Sequence, residues 1–189
     1  SFPTRRSSDL VEIFLDLKLH DIPNTVASAA KAISAINPRF LTVHASGGSA
    51  MIKAAVDAVP HIDITAVTIL TSLSEDDLFE IGFAQNAMES VVALADLSVR
   101  SGAKAIVSSP LEIEAIRSSV GEIPTIITPG VRPAGSAGAD DQIRTMTPRE
   151  AISAGANFVV IGRPITSSWS EGAAAMSEKA KAIVAEIAG

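Results

Sequence analysis

Two carboxylates and one ammonium crowd into the stretch Asp16-Leu17-Lys18-Leu19-His20-Asp21. Asp16 and Lys18 are two residues apart, so on a strand both side chains point to the same face. Val11, Ile13, Leu15 and Leu17 take the opposite parity. Charge on one face and aliphatic side chains on the other is the pattern of a barrel strand, one face inside and one under helices. Asp21 follows three residues after Lys18, where a loop would turn it back. Two carboxylates and one ammonium within six residues are costly unless paired. The same charges would also serve as a buried ion pair that orders the strand end. Their position favours chemistry, because barrels place their sites at the C-terminal ends of their strands.

Two later clusters carry features of anion binding. Thr128-Pro129-Gly130-Val131-Arg132-Pro133 runs into a small-residue stretch and then Asp141-Gln142. Residues 134–139 read as a loop that closes over a ligand, or as a surface loop with a solvated Arg132. Val160-Ile161-Gly162-Arg163-Pro164 follows the last strand candidate. Gly162 permits close backbone approach, and Arg163 offers two parallel donors to a phosphate. Barrels bind phosphate through the loops after their last two strands. Arg132, Gln142, Gly162 and Arg163 are therefore the expected phosphate clamp. Thr71 and Ser72 end the third strand candidate with hydroxyls on the same rim; their other role would be helix capping, which Ser74 fills. His20, His44 and His61 show no metal-ligand spacing, and no metal is expected.

These residues need a scaffold, and the chain supplies a regular one. Strand candidates are Val11–Leu17, Phe40–His44, Ile64–Leu70, Ala105–Ser108, Thr125–Thr128 and Phe158–Ile161. Each is nearly continuously apolar, as a parallel strand buried on both faces must be. Helix candidates alternate with them: Thr25–Ile36, Ser49–Ala58, Ser74–Ile81, Ala87–Ser101, Leu111–Ser118, Thr147–Ala154 and Glu171–Ile187. Ser74 and Thr147 are expected N-caps, and Gly102 and Gly155 expected helix ends. Alternation with short loops predicts βαβ units and a parallel sheet. No Gly-x-Gly-x-x-Gly follows the first strand, so the dinucleotide-binding fold lacks its fingerprint. The expected fold is α/β, an incomplete (β/α)8 TIM barrel of about six βα units.

Composition narrows the function classes. Of 189 residues, 47 % are hydrophobic and 19 % charged, and the formal net charge is −6. A core is expected and a nucleic-acid partner is not, since phosphate backbones require a basic face. With no Cys, thiolate nucleophiles and Cys-based metal sites are excluded. A cytoplasmic location is expected. No apolar run reaches the roughly 18–20 residues of a membrane span, so no membrane partner is expected. Residues 1–10 are Ser- and Arg-rich and aperiodic, either a transit-peptide fragment or, as favoured here, a non-native or disordered leader. Residues 11–189 are the expected partial barrel domain.

The ordered segments F-L-D-L-K-L-H-D-I-P-N-T-V, V-H-A-S-G-G, A-V-T-I-L-T-S, T-P-G-V-R-P and V-I-G-R-P-I resemble the orotidine 5′-phosphate decarboxylase family. The resemblance runs from about Val11 to the C-terminus. It implies a (β/α)8 barrel, a homodimer without metal or organic cofactor, and conversion of orotidine 5′-phosphate to UMP and CO2 in pyrimidine biosynthesis. It further implies that Lys18 protonates C6 of the pyrimidine and that Asp16 lies near the departing carboxylate. Asp21, with Thr25, would reach into the neighbouring subunit's site. Thr71, with Ser72 as the other candidate, would meet the pyrimidine edge. Arg132, Gln142, Gly162 and Arg163 would hold the phosphate.

The chain departs from the family pattern upstream. The resemblance places two strands before the Asp-x-Lys motif, the first with an aspartate and the second with a lysine. No Lys precedes Lys18, and only Asp9 lies upstream among the acidic residues of residues 1–10. The expectation is an N-terminally truncated barrel with its first two strands missing and with little or no turnover. Two other functions stay open: a magnesium-dependent sugar-phosphate lyase or synthase, such as a hexulose-phosphate synthase, and a non-catalytic phosphate-binding fragment.

Overall fold

The computed structural model describes residues 12–133 and 146–188. Six strands form one parallel sheet in sequence order: β1 (Phe14–Leu19), β2 (Phe40–His44), β3 (Asp63–Val67), β4 (Ala105–Val107), β5 (Thr125–Thr128) and β6 (Phe158–Val159). Helices follow them: α1 (Pro23–Ile33), α2 (Gly48–Ala58), α3 (Glu75–Glu80), α4 (Ala87–Arg100), α5 (Ile113–Val120), α6 (Pro148–Ser153), α7 (Arg163–Thr166) and α8 (Ala173–Ala188). Sequential order with every neighbour parallel is the βα repeat expected of a barrel.

The sheet curls. β2 and β6 stand four strands apart, about 19 Å on a flat sheet at the usual strand spacing. Yet the rings of Phe40 and Phe158 lie 5.6 Å apart, edge to face. Phe14 also meets Phe40, with ring centroids 6.2 Å apart. The Arg39 guanidinium sits 4.7 Å from the Phe40 ring centre and 5.2 Å from that of Phe158. It also pairs with Glu12. Phe40, Val67, Ala105, Val107 and Ile127 form the inward-facing cluster. Strand residues of the other parity, including Leu41, Val43, Ile64, Ala66, Ile106 and Ile126, form the larger core under the helices. Each such Ile or Leu contributes about 1.5–3 kcal/mol by leaving water.

Element boundaries move where local chemistry outweighs the apolar run. The strand expected over Ile64–Leu70 stops at Val67. Its apolar residues continue because Ile69 is buried in the core beyond the ladder. The strand expected over Phe158–Ile161 is only two residues long, because Arg163 already starts α7 with Gly162 at its N-cap. β1 runs Phe14–Leu19 rather than Val11–Leu17. Ser74 caps α3 reciprocally with Asp77, and Thr147 caps α6 with Glu150. These hydrogen bonds hold the Asp77 and Glu150 carboxyls below the usual carboxylate range. Gly102 and Gly155 take φ of 95° and 110° after α4 and α6, the left-handed ends expected of them.

Candidate functional site

The site is assembled from the C-terminal ends of the strands. Val131 bridges to Met146, and the Arg132 N–H donates to the Met146 carbonyl at 2.9 Å. Residues 131–132 and 146 thereby lie side by side. Gln142, one of the four expected phosphate-clamp residues, lies outside the described residues, as does the expected leader.

Asp16 and Lys18 lie on the inward parity of β1. Lys18 Nζ is 2.6 Å from Asp16 Oδ2. The pair is half exposed, so the expectation of a buried ion pair does not hold here: side-chain exposures are 37 % for Lys18 and 44 % for Asp16. Both line a cleft of about 270 Å³ whose walls also include Thr71, Ser72, Ser108 and Arg163. The structure therefore brings together five of the predicted residues: Asp16, Lys18, Thr71, Ser72 and Arg163. Thr71 and Ser72 stand in the turn after β3, not at its end, and both face the cleft.

Other predicted residues stand outside the cleft lining. Asp21 is exposed ahead of α1, where its carboxylate accepts the Ile22 N–H at 2.7 Å. Thr25 is exposed in the first turn of α1. Asp21 does not return to Lys18, whose carboxylate partner among the described residues is Asp16. Arg132 and Gly162 do not line the cleft either.

Three further features are missing from the sequence reading. Thr42, fully buried on β2, accepts the Lys18 N–H at 2.8 Å and donates to Asp16 Oδ1 at 3.0 Å. Its parity with Phe40 and His44 placed it on the inner face, a signal that strand alternation offered. Next, the rings of His20 and His44 lie 5.3 Å apart. Burial, then the His20 ring and the Lys18 ammonium, hold the His44 imidazole below its ordinary value of 6.5, while Asp16 pulls it up. The third is Ser108, whose buried hydroxyl has no hydrogen-bond partner among the described residues.

Chemically, the arrangement places an anion and a cation side by side at the mouth of a half-apolar cleft, with a guanidinium on another wall. The Arg163 guanidinium is suited to a phosphate or carboxylate.

Comparison with known proteins agrees with this geometry. Residues 4–177 match the model of the orotidine 5′-phosphate decarboxylase / HUMPS family. An orotidine 5′-phosphate decarboxylase of Thermobifida fusca is 54 % identical over 163 residues, covering 86 % of this chain and 70 % of the relative. One from Frankia casuarinae is 51 % identical over 87 % of this chain and 60 % of the relative. The chain thus spans 60–70 % of the length of these two relatives. The crystal structure of orotidine 5′-phosphate decarboxylase from Lactobacillus acidophilus matches with a TM-score of 0.76 and 40 % identity. That match covers 90 % of this chain and 74 % of the other. On the matched motifs, the curled parallel sheet and the family model together, the chain belongs to the orotidine 5′-phosphate decarboxylase / HUMPS family.

Proposed function

We propose that the chain is an orotidine 5′-phosphate decarboxylase that releases CO2 from orotidine 5′-phosphate and leaves UMP. The observation that carries this reading is the Asp16–Lys18 pair, 2.6 Å apart in a cleft that Arg163 also lines. The pyrimidine lies with its carboxylate beside Asp16, where like charges repel. That repulsion is relieved as the carboxylate departs, so it lowers the barrier rather than merely weakening binding. The electron pair of the breaking C–C bond remains on C6, next to the Lys18 ammonium. Lys18 then delivers its proton to C6. Thr71 or Ser72 meets the pyrimidine edge. Arg132, Gln142, Gly162 and Arg163 hold the phosphate, whose remote binding energy offsets the repulsion.

The reading includes a homodimer in which Asp21 and Thr25 reach the partner's site. Their exposure at the start of α1, beside the exposed Ile22, supports it. A cytoplasmic location belongs to the same proposal. Among the described residues no helix is long and apolar enough to cross a membrane. The magnesium-dependent sugar-phosphate alternative is not favoured, since the relatives at 51 % and 54 % identity are named decarboxylases.

The experiment is conversion of carboxyl-labelled orotidine 5′-phosphate by the 189-residue chain under single-turnover conditions, which still read a slow rate. Label release with UMP formation, unaffected by EDTA and by a ketose phosphate, is expected. EDTA-sensitive turnover of a ketose phosphate in place of label release would overturn the reading.

A further inference from the structure

The pairing between β1 and β2 slips at the site. Leu15 pairs with Leu41, and Leu19 pairs with Val43. Asp16, Leu17 and Lys18 therefore face a single residue of β2, Thr42. The surplus backbone is taken up at Lys18, whose φ is +49°, a left-handed conformation that L-residues adopt rarely and at a cost. Such a bulge also removes ladder hydrogen bonds. The Lys18 N–H is nonetheless satisfied, because Thr42 Oγ1 accepts it at 2.8 Å.

The same hydroxyl has one proton to give. Asp16 Oδ1 lies at 3.0 Å and the Leu15 carbonyl at 3.5 Å, so the carboxylate is the better acceptor. The other carboxylate oxygen, Oδ2, holds Lys18 Nζ at 2.6 Å. The contacts close a ring. It runs from the Lys18 backbone to the Thr42 hydroxyl, then to one Asp16 oxygen, and from the other oxygen to the Lys18 ammonium. The buried Thr42 is the only member of that ring on a second strand. It ties both charged side chains to β2 without touching the cleft, whose lining does not include it.

We propose that Thr42 is a positioning residue for the decarboxylation. Its hydroxyl locks the left-handed backbone of Lys18 and turns the Asp16 carboxylate so that one oxygen carries the ammonium. This rests on the functional reading above, in which Asp16 and Lys18 act on the substrate. A pair misplaced by about 1 Å loses on the order of 10²-fold in rate.

The test uses the full 189-residue chain with Thr42→Val, which keeps the shape and deletes the hydroxyl, and Thr42→Ser, which keeps the hydroxyl. Three readouts are taken: hydrogen exchange of the Lys18 amide, the chemical shift of the Asp16 carboxyl carbon at neutral pH, and the single-turnover rate with the KM for orotidine 5′-phosphate. In Thr42→Val the Lys18 amide is expected to exchange about 10-fold faster. The Asp16 carbon resonance moves because its carboxylate has lost a donor. The rate falls about 10- to 100-fold, with KM changed less than about threefold. Thr42→Ser restores all three. Exchange and carbon shift unchanged in Thr42→Val overturn the proposal, as does a Thr42→Ser chain as impaired as Thr42→Val. If Thr42→Val does not fold, Thr42→Ser against Thr42→Ala decides by the same exchange and carbon shift. Turnover of a ketose phosphate in place of orotidine 5′-phosphate would refute the functional reading, while exchange and carbon shift would still judge Thr42.

Discussion

At the residue scale the site is built from strain and neighbouring charge. Lys18 occupies a left-handed conformation near the end of β1, and its ammonium lies 2.6 Å from Asp16. Backbone strain of this kind persists only where surrounding contacts over-determine it, which the Thr42 hydroxyl and the register slip do. His44 is the titratable neighbour. Burial is the largest cause of its lowered pKa, followed by His20 and Lys18. The native state thus binds fewer protons than the unfolded chain as pH falls through the unfolded value of 6.5. The sign follows directly. The contribution of neutral His44 is fully present above that value and is lost as pH falls below it. We expect the melting temperature of the native chain to drop between about pH 7.5 and 5.5, and His44→Gln to flatten that slope. Thermal unfolding followed by circular dichroism across this range checks it; equal slopes in the two proteins would contradict it.

At the element scale, legibility depended on whether periodicity or side-chain chemistry sets the element. Phe40–His44 and Thr125–Thr128 begin and end where the apolar β-branched runs do. The capped helices α3 and α6 were visible because Ser74 and Thr147 carry their own start signals. Where the strand ladder stops was not visible. Ile69 and Val160 are as apolar as the residues before them, and only pairing distinguishes them from strand. Of the candidate site, the charged pair and Arg163 were legible from strand parity and the loop after β6. Thr42 was not used because its role follows from a two-residue slip that no periodicity encodes. The direction of Asp21 follows from its contact with the Ile22 N–H, which residue spacing does not encode.

Arg117 on α5 is a second residue whose role only packing reveals. Its side chain is 8 % exposed. It donates to the carbonyls of Gly155, Gly121 and Pro124 and to Asn157 Oδ1. Asn157 Oδ1 in turn accepts the Ile126 N–H at 2.8 Å. One guanidinium thus joins the end of α5, the start of β5 and the turn between α6 and β6. Arg117→Met keeps the apolar stem but leaves these carbonyls unpaired, and should cost about 2–4 kcal/mol. Urea unfolding measures it; a loss below about 0.5 kcal/mol would show that water replaces the guanidinium without penalty.

At the scale of the whole molecule, the sheet's curl makes the site possible. Aromatic contact between β2 and β6 draws strands four apart together. That closure carries Arg163, beyond β6, onto the wall facing the β1 pair. Among the described residues, β1 and β6 remain the sheet's edges. Phe14, Phe40 and Phe158 meet on the inner face, while residues at and beyond the C-terminal strand ends line the cleft. Barrels place their chemistry at that end of the strands.

The central claim is that Lys18 stabilises and protonates C6 as CO2 leaves. The most direct measurement is single-turnover release of CO2 from orotidine 5′-phosphate by the native chain and by Lys18→Ala, with folding checked by circular dichroism. Removing both the charge and the proton donor should lower the rate about 10³-fold or more, without loss of UMP binding through the phosphate. A folded Lys18→Ala chain that releases CO2 at the native rate would contradict the account.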